Sequence, residues 1–142
     1  MFTITKKTTI GRLESINITN LGLNDITAKI DTGAYRGSIH STDIREVDEE
    51  GKKVLKFKIF DANHPEYKDK VYSFDNYKIR KFRGTEVDYH DRYVIPVTLE
   101  ISGKKIEAEL SLADRKDLRY PILLGRRALK KYFLIDVDQK NI

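Results

Sequence analysis

Ala28-Lys29-Ile30-Asp31-Thr32-Gly33-Ala34 runs directly into Tyr35-Arg36-Gly37-Ser38-Ile39-His40. Ile26, Ala28 and Ile30 alternate with Thr27 and Lys29, the period of a strand with one buried face. That strand delivers Asp31 at its end, and a hydroxyl, a glycine and a small residue follow at once. Gly33 permits a sharp turn or a close backbone approach. Such a loop can hold a carboxylate in a fixed position. Asp-Thr-Gly is equally an ordinary turn after a strand. The triplet alone leaves both readings open.

Working outward, residues 1–20 are polar and threonine-rich. Ile10, Leu13, Ile16 and Ile18 give them enough apolar positions for one or two short strands, and Leu21 to Asp25 reads as a turn. Downstream, Ser38 to His40 re-enters a strand, Asp43 to Glu50 is mostly polar, and Asp48 to Gly51 forms a turn. Val54 to Phe60 is a strand with Leu55, Phe57 and Ile59 on one face. Asp61 to Pro65 breaks it, and Val71 to Phe74 returns as the second arm of a hairpin with a long polar tip. Residues 75–91 are mixed. Tyr93 to Ile101 is the longest alternating run, and Pro96, which has no ladder donor, places it at an edge or a bend. Ser102-Gly103 turns it into Lys104 to Leu112. Ala113 to Arg119 is a charged loop or one helical turn. Ile122 to Leu124 is a short buried strand ended by Gly125, Arg126 to Lys131 is the helical candidate, and Tyr132 to Val137 closes as a strand. With no linker, low-complexity tract or solenoid repeat, residues 1–142 read as one all-β domain with one short C-terminal helix.

Composition narrows the chemistry. Lys and Arg number 27 against 22 Asp and Glu, a formal net charge of +5. That excess suits an acidic ligand, nucleic acid or an anionic surface, or simply solubility. There is no cysteine, so disulfides, thiolate nucleophiles and cysteine metal sites are excluded. The start lacks a signal-length apolar run, and nothing approaches a membrane span, so a cytoplasmic protein without a membrane partner is expected. The histidines are three, His40, His64 and His90, in separate segments. No His-Glu-x-x-His and no phosphate-binding Gly-Lys loop occurs. Neither a metal nor an organic cofactor is expected. Tyr72, Tyr77, Phe82, Tyr89 and Tyr93 lie among Lys78, Arg80, Lys81 and Arg83, a mixture that stacking platforms for nucleic acid use. Barrels use the same residues, and nucleic-acid binding is not the expected role.

Ninety-two residues separate Gly33 from Gly125, and the two strand-glycine segments echo one another faintly. Asp31-Thr32-Gly33-Ala34 after a hydrophobic strand resembles the catalytic loop of pepsin-like and retroviral aspartic proteases. Ile122-Leu123-Leu124-Gly125-Arg126 resembles the second hallmark of the retroviral type: two hydrophobic residues, glycine and arginine before a short helix. The chain is more closely similar to a family of small bacterial and archaeal retropepsin-like proteins often labelled putative ATP-dependent zinc protease. The family pattern is Ala28 to Ala34, then Ser38-Ile39-His40, then Asp114-Arg115 ahead of Tyr120-Pro121-Ile122-Leu123-Leu124-Gly125-Arg126, and finally Phe133-Leu134-Ile135-Asp136. It covers roughly residues 9 to 138. Gly37 departs from it, since relatives usually carry a hydroxyl residue there. The stretches after Lys70 and before Arg92 are also less regular than the family pattern.

The resemblance implies a closed retropepsin-like β barrel and an aspartic-type peptidase. Peptide hydrolysis by carboxylates needs two of them sharing a proton. One chain supplies one Asp-Thr-Gly, so a homodimer would supply the second Asp31. In the family, Thr32 and Gly33 complete the catalytic loop: the threonine hydroxyls cross-link the two loops, and the glycines let them meet. Ala34 keeps the dyad uncrowded. Ser38, His40, Arg115, Gly125 and Arg126 support it, with His40 a structural histidine or a ligand contact and Arg126 a brace of the fold or dimer. Some relatives are associated with ATP-grasp ligases that add glutamates to a ribosomal protein. That implies such a ligase as a functional partner and an acidic peptide as substrate. The alternative is a non-catalytic peptide- or nucleic-acid-binding domain on the same fold.

Overall fold

The computed structural model describes residues 6–83, 89–115 and 117–142, and the side chains of these apart from 82, 83, 89 and 90. The strands are β1 (Thr8–Gly11), β2 (Leu13–Ile18), β3 (Leu23–Ile30), β4 (Gly37–Glu49), β5 (Lys52–Ile59), β6 (Tyr72–Phe74), β7 (Lys78–Arg83), β8 (Tyr89–Ile101), β9 (Lys104–Ala113), β10 (Ile122–Leu124) and β11 (Phe133–Asp136). A 3-10 turn covers Thr19–Leu21, and the helix α1 spans Arg126–Leu129.

Six strands close on themselves in the order β10-β3-β2-β8-β9-β4 and back to β10. Their inward side chains alternate as a half-buried strand requires. Ile16, Ile18, Ile26, Ala28, Ile39, Ile95, Leu99, Leu110, Ile122 and Leu124 are all buried inside the ring. Closure abolishes the free edges of these strands. The seam strand is β10, which lies parallel to β3 (Ile122 opposite Ala28, Leu124 opposite Ile30) and antiparallel to β4 (Ile122 opposite Ile39). β5 and β6 continue outward from the far half of β4, where Phe57 stacks on Tyr72 at 5.8 Å between centroids. A separate two-stranded sheet pairs β1 with β11 in parallel.

The expected hairpins form. β5 and β6 pair with Leu55 opposite Phe74, and β8 and β9 meet at the Ser102-Gly103 turn with Ile101 opposite Lys104. Pro96, expected at an edge or a bend, sits where β8 changes partner on one flank. β8 pairs β7 up to Val94 and β2 from Leu99. Between them the Pro96 carbonyl accepts the Asn20 side-chain amide at 3.0 Å, so the missing N–H faces a side where no strand ladder runs.

Three expectations need correction. β3 begins at Leu23, directly after the left-handed Gly22, so the turn is shorter than residues 21–25. β4 continues through Asp43 to Glu49, because a bulge between Thr42 and Arg45, with Asp43 at φ 54°, shifts its phase and erases the alternation. Residues 78–83 are a strand, paired antiparallel to β8.

Candidate active site

Asp31 leaves the end of β3 with its backbone N–H donating to the Leu124 carbonyl at 2.9 Å. One carboxylate oxygen, Oδ1, accepts the Gly33 N–H at 2.9 Å, which closes a tight turn and fixes the side-chain angle. A Cβ at Gly33 would lie 3.2 Å from that oxygen, so the glycine is where the backbone comes closest to the acid. The Ala34 N–H follows with a longer bond of 3.3 Å to the Asp31 carbonyl. Asp31 and Ala34 are half-buried, whereas Thr32, Gly33 and Tyr35 face outward.

The loop is clamped by the start of α1. Arg126 and Arg127 donate their backbone N–H groups to the Ala34 and Tyr35 carbonyls at 2.8 and 2.9 Å. The Arg126 guanidinium Nη1 reaches the Thr32 carbonyl at 2.8 Å and lies 5.7 Å from the centre of the Tyr35 ring. These distances require glycine at position 125, where a Cβ would meet the Tyr35 carbonyl at 2.7 Å. Gly37 has the same logic: a Cβ there would come to 2.5 Å from the Leu123 carbonyl, so the glycine is fitted to how closely β10 approaches β4.

Ser38 and His40 are buried on β4. The Ser38 hydroxyl takes a long bond, 3.4 Å, from Arg115 Nη1. His40 is held at both ring nitrogens: Nδ1 accepts the Arg115 backbone N–H at 2.8 Å, and Nε2 lies 2.7 Å from Asp61 Oδ2. Because Nδ1 is the acceptor, the ring proton sits on Nε2 and is donated to Asp61. The Asp61 carboxyl is held below its ordinary range, first by the Asn63 backbone N–H and then by His40. The Arg115 guanidinium also donates from Nε to the Tyr120 carbonyl at 3.2 Å. Burial lowers its proton affinity most, nearby Arg92 adds to that, and Asp31 opposes both.

An open cleft of ≈ 710 Å³ lies beside the Asp31 loop. Its walls include Tyr35, Ser38 and Ile79 together with Arg36, Arg80, Lys81, Arg92 and Arg115, and no described acidic residue lines it. Asp31 stands outside this wall, within electrostatic reach of Arg115. The β7 cations are steered by Glu109, which Lys78, Arg127 and Arg80 approach at 3.0, 2.9 and 3.9 Å. A second anchor ties β8 and the residue just before β7 to β4: Glu46 accepts the Tyr77 hydroxyl at 2.5 Å and the Tyr93 hydroxyl at 3.0 Å.

Among the described residues, no three His, Asp or Glu side chains converge as a metal site would require. The side chains of Phe82, Arg83, Tyr89 and His90 lie outside the described residues, as does Lys116 in the charged loop. Asp31, Thr32, Gly33, Ala34, Gly125 and Arg126 are brought together in one loop cluster. Ser38, His40 and Arg115 form a second group joined to it through the cleft. Asp61, Glu46 and Glu109 escape sequence reading because their partners are distant in the chain. The one local signal is the spacing Asp61-x-Asn63 after a strong strand, which marks a side-chain-capped turn.

A closed six-stranded barrel, with a short strand slotted between the Asp-Thr-Gly strand and β4, defines a retropepsin-like fold. The chain belongs to the RimB-like family, described as retropepsin-like aspartic endopeptidase RimB, whose model matches residues 9–142. A probable alpha-L-glutamate ligase of Shewanella pealeana is 31% identical over 134 residues, 92% of this chain and 28% of that protein. The corresponding ligase of Parasynechococcus marenigrum is 28% identical over 95% of this chain and 29% of its own length. The chain thus spans less than a third of these curated relatives. In three dimensions it is similar to Lpg0085 of Legionella pneumophila, a DUF785 protein of unknown function, with TM-score 0.74, 25% identity and coverage of 96% of this chain and 98% of that one. No described helix is long and apolar enough to cross a membrane.

Proposed function

We propose that the chain is an aspartic-type hydrolase of peptide or related amide bonds, assembled as a homodimer that brings two Asp31 side chains together. One carboxylate activates a water, and its protonated partner donates toward the substrate carbonyl. The pair acts as one titrating unit. The observation that carries this reading is the fixing of Asp31: its backbone is tied to Leu124 and its carboxylate to Gly33, while Thr32 stays exposed where a partner loop can meet it. Arg126 braces the loop from behind. The domain covers residues 1–142 and works in the cytoplasm, without an intrinsic metal or organic cofactor.

The substrate is acidic. Arg36, Arg80, Lys81, Arg92 and Arg115 share one cleft wall, and a run of glutamate side chains offers each of them a carboxylate. The relatives' names support this reading, because an alpha-L-glutamate ligase makes the kind of chain such a cleft would hold. A separate ligase of that class is the proposed functional partner. The same names favour a second reading, in which the domain holds an acidic chain without cutting it.

One experiment separates the two. The protein and its Asp31→Asn variant are incubated with an oligoglutamate peptide and a neutral peptide of equal length, and the products are weighed by mass spectrometry. The hydrolase reading expects fragments of the acidic peptide from the native protein and a loss of roughly 10³-fold or more in Asp31→Asn, which remains folded and dimeric. Binding without fragments supports the second reading. Equal cleavage by both proteins, or a strictly monomeric active species, refutes the dyad.

A further inference from the structure

We propose that Asp61 is a positioning residue of the cleft, setting through the His40 ring where the Arg115 guanidinium stands. This rests on the reading of the cleft as the substrate site. Asp61 spends one oxygen, Oδ1, on the Asn63 N–H at 2.8 Å and the other on His40 Nε2. That second bond decides the tautomer. With the proton on Nε2, the buried ring presents its Nδ1 lone pair to the Arg115 N–H. Two further acceptors surround the same nitrogen, the Ala113 carbonyl at 3.4 Å and Asp114 Oδ1 at 3.9 Å. If Nδ1 carried the proton, it would oppose the Arg115 N–H and turn to those acceptors. The peptide of residue 115 would move, and with it the guanidinium that bonds Tyr120 and Ser38 in the cleft wall.

An asparagine at position 61 forces that change. Its carbonyl oxygen satisfies the Asn63 N–H, which leaves an NH₂ group facing Nε2. The ring must then accept there and carry its proton on Nδ1. An alanine removes the partner without imposing a tautomer, so the two variants separate loss of a contact from reversal of the proton.

The test uses the full chain labelled with ¹⁵N at histidine. The native protein is expected to show His40 protonated at Nε2, and Asp61→Asn at Nδ1, with faster amide exchange at Arg115. The KM for an oligoglutamate peptide should rise about tenfold in Asp61→Asn, the loss of one charge-assisted contact, with kcat within about twofold. The double variant Asp61→Asn with Arg115→Gln should be no worse than Arg115→Gln alone. A His40 proton that stays on Nε2, an unchanged KM with the proton moved, or additive losses in the double variant would overturn the proposal. If the native protein cuts nothing, the dissociation constant for the same peptide replaces KM. The NMR arm then still decides the role of Asp61, while the hydrolase reading fails separately.

Discussion

Gly125 lies so close to the Tyr35 backbone that a side chain there would stand 2.7 Å from its carbonyl carbon and oxygen. The contact joins the end of β10 to the loop that carries Asp31, and neither backbone can retreat without breaking the bonds of Arg126 and Arg127 to Ala34 and Tyr35. Gly125→Ala should therefore destabilise the fold by about 1–3 kcal/mol, the usual range for forcing extra volume into a packed site. Gly37→Ser should do the same because the Leu123 carbonyl is in its way. Urea unfolding of the two variants measures both effects, and stability equal to the native protein would contradict them.

Glu109 carries the cations of β7 and α1. Burial raises its proton affinity, but Lys78, Arg127 and Arg80 outweigh that and hold the carboxyl below the ordinary glutamate range. A depressed carboxyl contributes stability above its unfolded pKa and loses it as pH falls through the folded value. Glu109→Gln should cost about 1–2 kcal/mol at neutral pH, discounted for partial exposure of the partners. The difference from the native protein should shrink in acid, below the ordinary glutamate pKa. Unfolding curves at several pH values check the convergence.

Glu46 and Tyr77 make the complementary alkaline prediction. The hydrogen bond to Glu46 is the main reason that the Tyr77 hydroxyl is pushed up to about 12. A raised group contributes stability that is fully present below its unfolded pKa and is lost as pH climbs through the folded one. Tyr77→Phe should therefore lower stability at neutral pH, with the difference from the native protein shrinking as pH climbs past the tyrosine range, and should remove a late component from the ultraviolet titration of tyrosine. Glu46→Gln should bring that component to lower pH.

The cationic cleft predicts a salt response. Surface charges are screened over a few ångströms at high ionic strength. The KM for an oligoglutamate peptide should rise about tenfold or more between about 0.05 and 0.5 M salt, while a neutral peptide moves little. Arg115→Gln should flatten that dependence as well as weaken binding. A salt-insensitive KM would place acidic substrate elsewhere on the molecule.

Much of the strand structure was written in local pattern. Ile26 to Ile30, Leu55 to Ile59, Tyr93 to Ile101 and Ile106 to Leu112 each repeat every second residue, and each is a strand. The far half of β4 was unreadable because the bulge after Thr42 shifts its phase, so its faces no longer follow one alternation. β7 was unreadable for another reason: Ile79 is half exposed, and the pairing of the strand to β8 leaves no local mark in the sequence. Within the site, the Asp31 loop and its Gly125 clamp were legible through their resemblance to two short hallmarks of a known fold, since the triplet alone left an ordinary turn open. The His40–Asp61 pair was not, since 21 residues of strand and turn separate two side chains that meet only across β4 and the start of the next loop.

The placement of β10 also governs when the site comes into being. Leu124 stands beside Ile30 although ninety-four positions divide them, and the Asp31 amide finds its acceptor only when that strand slots into the seam. Contacts of such long sequence separation form late and slowly. A nascent chain therefore carries the Asp-Thr-Gly triplet without a finished site until β10 has been made. Residues 122–126 must emerge and dock before the loop is fixed, so the Asp31 carboxylate stays unpositioned until the seam closes.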